Sequence, residues 1–278
     1  MDLVDELVDL ALREDLGPTG DVTSEAALPL GARFSGRFVA REPLVVSGLA
    51  VAARVFARLD PGVALRAAVA EGSALEKGGV LAEIEGDARA VLAGERTALN
   101  FLQRLSGVAT LTRRFVERLE GTGCRLLDSR KTTPGHRLLE KAAVRAGGGH
   151  NHRMGLFDGI LLKDNHLAAA GGLGPALLAA RSRGGALLRI EVEVDTLAQL
   201  DEALALGVEI VLLDNFEPAA LREAVARRNA RSPRTLLEAS GGVGLETVGE
   251  IARTGVDFAS AGVLTHGARS VDIGLDAG

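Results

Sequence analysis

From Cys124 onward the chain alternates strand-like and helix-like stretches, and that rhythm limits the folds open to it more than any other feature. The strands read CRLLDS, GILLK, LLRIEVEV, EIVLLD, TLLEAS and DFASAG, and they begin between 22 and 35 residues apart. Near-continuous apolar runs suit parallel strands buried on both faces, and the spacing leaves room for a crossover helix after each. Six such units fit, not eight. This predicts an incomplete α/β barrel over residues 106–265, with a doubly wound sheet as the structural alternative. Each strand runs into polar or glycine-rich residues: Asp128–Lys131, Lys163–His166, Glu193–Asp195, Asp214-Asn215, Ser240–Gly242 and Ala261-Gly262. On an α/β barrel that rim carries the active site.

Residues 1–105 follow another grammar, that of an α+β domain. An opening helix places Leu3, Val4, Leu7, Leu10 and Ala11 on one stripe. ARFSGRFVA alternates as a half-buried strand does, LVVSG reads as a second strand, and LAVAARVFARL is a helix stopped by Asp60-Pro61-Gly62. Short glycine-punctuated strands fill Val63 to Ile84, and a helix from about Ala88 to Leu105 leads out of the domain. The last segment, 266–278, is expected to pack back on this domain.

Composition excludes several classes. Apolar runs stay far short of the roughly 20 residues of a membrane helix. The acidic, amphipathic start MDLVDELVDLALRED has no signal-peptide character, so a cytoplasmic location is expected. A lone cysteine, Cys124, forms no intrachain disulfide and reads as core at the start of a buried strand. With no Trp or Tyr and eight Phe, the chain has few platforms for stacking bases, so no nucleic-acid partner is expected. Neither a Gly-x-Ser-x-Gly elbow nor a Walker A loop occurs.

Charge is concentrated instead. Between Arg125 and His166 lie eight Lys/Arg against four Asp/Glu, four of the five histidines and three of the four lysines, on a chain of net charge −5. Such a local cationic cluster fits a small polyanion. Arg130, Lys131, His152, Arg153 and Lys163 supply positive charge to the rim, and Glu193 and Asp214 supply negative charge. Arginine forks match carboxylates and phosphates, while carboxylates could hold Mg²⁺, hydroxyls or a developing cation. Any one of these charges alone reads as a solvated surface group. Glu191 and Glu193 share a strand face, where a salt bridge is the bland reading of each. Gly241-Gly242 and Gly262 read as plain turns or as anion cradles. The HNH string at 150–152 offers a chelating pair with no carboxylate at metal-site spacing, and His136, His166 and His266 read as loop or capping residues.

The motifs Arg130-Lys131-Thr132-Thr133-Pro134-Gly135, Leu138-Leu139-Glu140-Lys141, Gly147–Arg153 (GGGHNHR) and Leu162-Lys163-Asp164-Asn165-His166 together resemble the quinolinate phosphoribosyltransferase family. So do Glu14–Gly17 with Gly20–Ser24, Glu95–Asn100, Glu191–Val194, Leu213–Phe216, Leu237–Gly242 and Leu264-Thr265-His266, in order along nearly the whole chain. The resemblance implies an enzyme of de novo NAD synthesis. It joins quinolinate to 5-phosphoribosyl 1-diphosphate with Mg²⁺ and gives nicotinate mononucleotide, diphosphate and CO₂. It also implies a homodimer or higher oligomer with shared sites. Carried over by motif, Arg96, Arg130, His152, Arg153 and Lys163 would face the quinolinate carboxylates, with Ser129 also counted as substrate-binding. Lys131 and Lys163 would also reach the diphosphate. Glu193 and Asp214 would face the ribose hydroxyls and Mg²⁺, with Lys131 and Lys163 counted beside them as catalytic. Ser240, Gly241 and Gly242 with Ala261 and Gly262 would cradle the 5-phosphate. Ala261 and Gly267 depart from the residues more usual there, without removing a charge. The alternative by resemblance is a paralogous phosphoribosyltransferase-like protein of molybdenum transport operons, which the intact basic strings disfavour.

Overall fold

A computed structural model describes residues 2–185 and 187–278. In chain order the elements are α1 (Leu3–Leu16), α2 (Val22–Ala27), β1 (Arg33–Ala40), β2 (Leu44–Val45), α3 (Leu49–Leu59), β3 (Ala64–Ala67), β4 (Ala74–Leu75), β5 (Val80–Asp87) and α4 (Ala88–Arg118). There follow β6 (Arg125–Leu127), α5 (Arg137–Ala146), β7 (Ile160–Leu162), α6 (Asp164–Ala170), α7 (Leu173–Arg183), β8 (Ile190–Val194), α8 (Leu197–Ala205) and β9 (Ile210–Asp214). The chain ends with α9 (Pro218–Arg231), β10 (Leu236–Ser240), α10 (Val248–Ala252), β11 (Phe258–Ser260), α11 (Val263–His266) and β12 (Ile273–Ala277). Among the described residues no helix is long and apolar enough to cross a membrane.

Two compact units emerge. The first comprises Met1–Arg113, Thr132–Gly148 and Thr265–Gly278, and the second Arg114–Lys131 and Gly149–Leu264. In the first, an antiparallel sheet runs β12-β1-β5-β3, with β12 paired to β1 from Gly36↔Ala277 to Ala40↔Ile273. Phe38, Leu81, Ile84, Phe56 and Val55 form its core.

The second unit carries the six predicted strands as one sheet in the order β6-β11-β10-β9-β8-β7, every pairing parallel. Val192, Val194, Val211, Leu213, Leu237 and Ala259 are buried on the sheet's outer face. The alternate positions Glu191, Glu193, Asp214, Glu238 and Ser240 point the other way, as the pleat requires. The free edge of β6 is extended by a single bridge, Leu127↔His150, with His150 N–H on Leu126 O at 2.9 Å.

Three sequence expectations change. On α1 the inward residues are Val8 and Leu12, while Leu3 and Leu10 are more than half exposed. α1 packs on α3 through Val8 and Leu12, one step round the helix from the predicted stripe, and Asp2, Asp5 and Asp9 ion-pair with Arg54 and Arg58 along the same contact. LVVSG forms only a two-residue strand, paired with β4. The helix expected to stop near Leu105 continues to Arg118, since nothing between them breaks it.

The unit division also differs from a boundary at 105/106. Residues 132–148 belong with the first unit because Glu140, fully buried, accepts from Arg104 Nη2 (2.7 Å) on α4 and from Thr133 N (3.0 Å) and Thr133 Oγ1 (2.8 Å). Arg104 also donates to the carbonyls of Thr265 and Ala268, so one side chain ties three segments.

Gly107 explains how α4 takes the C-terminal segment. A Cβ there would stand 2.0 Å from Arg269 O, while Val271 N–H reaches Gln103 O at 3.1 Å. Glycine normally weakens a helix interior, and here it admits another backbone. Gly107→Ala is expected to cost about 1–3 kcal/mol of stability. That loss is read as a lower urea midpoint at unchanged slope. A midpoint at or above wild type would show that the 269–270 backbone moves aside freely.

Candidate active site

At the C-terminal ends of the parallel strands the acidic half is built first. Glu193 on β8 receives Lys163 Nζ at 2.5 Å. The Glu193 side chain is only 15% exposed, so this pair is worth more than an exposed surface contact. Lys163 ends β7 at the N-cap of α6, and its main-chain N–H donates to His166 Nδ1 at 3.0 Å. His166 thus caps, as its loop reading anticipates. Asp214, ending β9, accepts from Asn215 Nδ2 at 2.7 Å. Among the described residues Asn215 is the non-glycine one with positive φ, 55°, and its N–H reaches Ser240 O at 2.8 Å. That contact packs the Ser240–Gly242 turn onto β9. A Cβ on Gly241 (φ 86°) would fall 2.1 Å from Asn215 Oδ1, so only glycine fits. Ala261 is buried, with its N–H on Leu127 O at 3.0 Å, and Gly262 follows it at the head of α11.

The basic half comes from β6 and the segment after α5. Asp128 is fully buried at the end of β6 and accepts from Asn151 Nδ2 (2.6 Å) and His152 N–H (2.9 Å). Arg153 is half-buried and donates through Nη1 to Gly159 O at 3.0 Å. The intervening loop closes on Asp158, which accepts from Met154 N (2.6 Å) and Gly155 N (2.8 Å). Burial lowers the pKa of Arg153, and the nearby charge of Arg130 lowers it further. The charges of Glu191 and Asp158 act in the opposite sense on Arg153. Lys131 is exposed, with its N–H on Ser129 Oγ at 3.1 Å.

His152 turns inward more than its motif suggests. Its Nδ1 accepts Arg153 N–H at 2.7 Å, and its Nε2 lies 3.0 Å from Glu191 Oε2 and 3.8 Å from Glu238 Oε2. Glu191 and Glu238 are 6% and 2% exposed, and sequence reasoning gave Glu238 no role. The signal for it was a carboxylate in the middle of the apolar strand LLEAS. These groups line a cavity of about 360 Å³ shared with Arg125, Arg153 and Phe258, toward the N-terminal ends of the strands, so Arg153, expected on the C-terminal rim, has its Nη1 on the carbonyl that precedes β7 instead. Arg96, the remaining expected site residue, is exposed on α4 in the other unit.

The family described as "Quinolinate phosphoribosyl transferase" matches through its N-terminal domain at residues 21–106 and its C-terminal domain at residues 108–276. The chain belongs to the quinolinate phosphoribosyltransferase family. It is 46% identical over 268 residues to the nicotinate-nucleotide pyrophosphorylase [carboxylating] of Mycobacterium leprae, covering 96% of this chain and 94% of that one. A probable enzyme of the same name from Bacillus subtilis is 44% identical, with 95% and 89% covered. The solved nicotinate-nucleotide pyrophosphorylase of Francisella tularensis superposes with a TM-score of 0.94 at 37% identity, covering 100% and 96%. The chain is thus a phosphoribosyltransferase of the quinolinate class, an enzyme of de novo NAD biosynthesis.

Cys124 stands apart from this chemistry. It is buried, and burial, with the charges of Asp257 and Glu238, pushes its thiol up to about 12. The thiolate is the reactive form. Native protein at pH 8 is therefore expected to resist thiol-specific alkylation and to react only on unfolding. Rapid modification of the folded chain would contradict the assignment of Cys124 to the core.

Proposed function

We propose that the rim divides the transfer of a phosphoribosyl group to quinolinate between its two halves. The observation that carries this reading is the meeting of Lys163 with Glu193 at the strand ends, one strand from Asp214 and its glycine turn, which sets a cation among carboxylates and main-chain N–H groups as a phosphoribosyl donor requires. In this reading Arg130, His152, Arg153 and Lys163 form the quinolinate subsite beside Ser129. Lys131 and Lys163 reach the diphosphate of 5-phosphoribosyl 1-diphosphate. Ser240, Gly241 and Gly242 with Ala261 and Gly262 cradle its 5-phosphate.

The mechanism follows from charge. As the bond from ribose C1 to diphosphate breaks, positive charge builds on the sugar, as in glycoside cleavage. Glu193 and Asp214 face that charge and the ribose hydroxyls. The quinolinate nitrogen then bonds to C1. Its pyridinium charge stabilises the electron pair left at C2 when CO₂ departs, and a proton replaces the carboxylate. No covalent nucleophile is needed. Mg²⁺ is the proposed cofactor. Glu193 uses Oε2 on Lys163 and Asp214 uses Oδ2 on Asn215, which leaves their second oxygens for a hard cation. Bound there, Mg²⁺ would neutralise diphosphate charge.

Lys131→Ala and Lys163→Ala are each expected to cost roughly 2 kcal/mol or more in kcat/KM, about thirtyfold. Near-normal kinetics would remove both from the site. Asp214→Asn should lower kcat more than it weakens quinolinate binding, measured by titration alongside steady-state rates. A loss of affinity with the chemical step intact would refute its charge-stabilising role.

The proposed assembly is a homodimer in which Arg96 of one protomer serves the partner's site, covering it against water. Mixing inactive Arg96→Ala and Lys163→Ala chains under subunit exchange should then restore activity, because one site of each mixed dimer is intact. Demonstrated exchange with no activity would confine Arg96 to its own chain.

A further inference from the structure

The rim chemistry leaves unexplained why the interior of the strands holds two buried carboxyls. The ligand atoms of His152, Glu191 and Glu238 all lie within 4.8 Å of one another, and Oε1 of each glutamate is buried without a hydrogen-bond partner. Such groups are costly. An apolar side chain of similar size is usually neutral or stabilising in place of a buried ionisable one. Packing therefore does not account for them.

The composition of this triad is that of a metal site, but its hydrogen bonds argue otherwise. Arg153 N–H donates to His152 Nδ1 at 2.7 Å, so Nδ1 carries the lone pair and Nε2 the proton. That proton points to Glu191 Oε2 at 3.0 Å. A metal on Nε2 would require a proton on Nδ1, facing the Arg153 N–H. The two carboxyls cannot both be charged at such proximity. Burial first, and then the charge of Glu191, raise the pKa of Glu238, and the two carboxyls share a hydrogen bond.

We propose that Glu191 and Glu238 are positioning residues for the quinolinate subsite: the Glu191 carboxylate, itself oriented by Glu238, fixes the His152 ring, and His152 Nδ1 fixes the main chain of Arg153. Asp128 holds the same turn from the other side through His152 N–H. The turn that carries Arg153 is thereby ordered before substrate arrives, and the conformational cost of ordering it is met in folding rather than in substrate binding. This rests on the assignment of Arg153 to quinolinate.

The test uses the full-length enzyme and the double variant Glu191→Met/Glu238→Met, which fills the space with apolar atoms. Its melting temperature is expected to equal or exceed wild type. The KM for quinolinate should rise at least tenfold while the KM for the phosphoribosyl donor stays within twofold. Glu238→Gln, which keeps an N–H donor toward Glu191, should restore the quinolinate KM. Wild-type quinolinate KM in the double variant would overturn the proposal, as would an equal rise in both KM values. If the double variant does not fold, Glu191→Gln is read instead, with the same split expected. Imidazole ¹⁵N spectra test the triad even if quinolinate is not the substrate. His152 should be the Nε2–H tautomer in wild type and lose that fixed state in the Glu191 variants. Stoichiometric retention of added Zn²⁺ or Mn²⁺, abolished by Glu238→Met, would overturn the tautomer and the proposal together.

Discussion

Asp128 is the residue on which the basic half of the site depends. It has no exposed surface, and it ends the edge strand β6. Its two oxygens accept the Asn151 amide and the His152 main-chain N–H, tying the segment after α5 to the strand end. Without that tie the Leu127↔His150 bridge would be the remaining backbone link described at this edge. The tie also holds the turn that carries Arg153, whose pKa is lowered by burial and by the charge of Arg130. A buried carboxylate thus orders the turn that carries His152 and Arg153.

The acidic half obeys a different logic. Parallel strands of matched register deliver Glu193 and Asp214 to the same end of neighbouring strands, and Glu193 already holds Lys163. One lysine therefore sits between a carboxylate of the protein and the anions proposed to bind. The glycine turn after Ser240 is packed on Asn215 so closely that a methyl group is excluded there, which fixes the proposed phosphate cradle in the free protein. Preorganised groups of this kind act without reorganising during the reaction.

Much of this is legible in the residues. The six strands are found because each is an apolar run ended by a polar cluster, and the pleat puts Glu191 and Glu193 on one face. The helix LAVAARVFARL matches α3 residue for residue, bounded by Gly48 and Asp60. What stays hidden are choices made by distant partners. α3 with Arg54 and Arg58 lies against the face that α1 buries, and no periodicity within α1 reports it. Arg269 O makes Gly107 a contact point rather than a helix end. Glu238 lies within an otherwise apolar run, where its sequence neighbours give no hint of His152, eighty-six positions earlier in the chain.

The central claim is that this rim builds a mononucleotide from quinolinate with loss of one carboxylate. Its most direct test supplies the purified protein with 5-phosphoribosyl 1-diphosphate, Mg²⁺ and quinolinate carrying ¹³C in the 2-carboxylate. Nicotinate mononucleotide, diphosphate and labelled CO₂ are expected in equal amounts. Absence of turnover, or a mononucleotide formed from nicotinate with no CO₂ released, would contradict it.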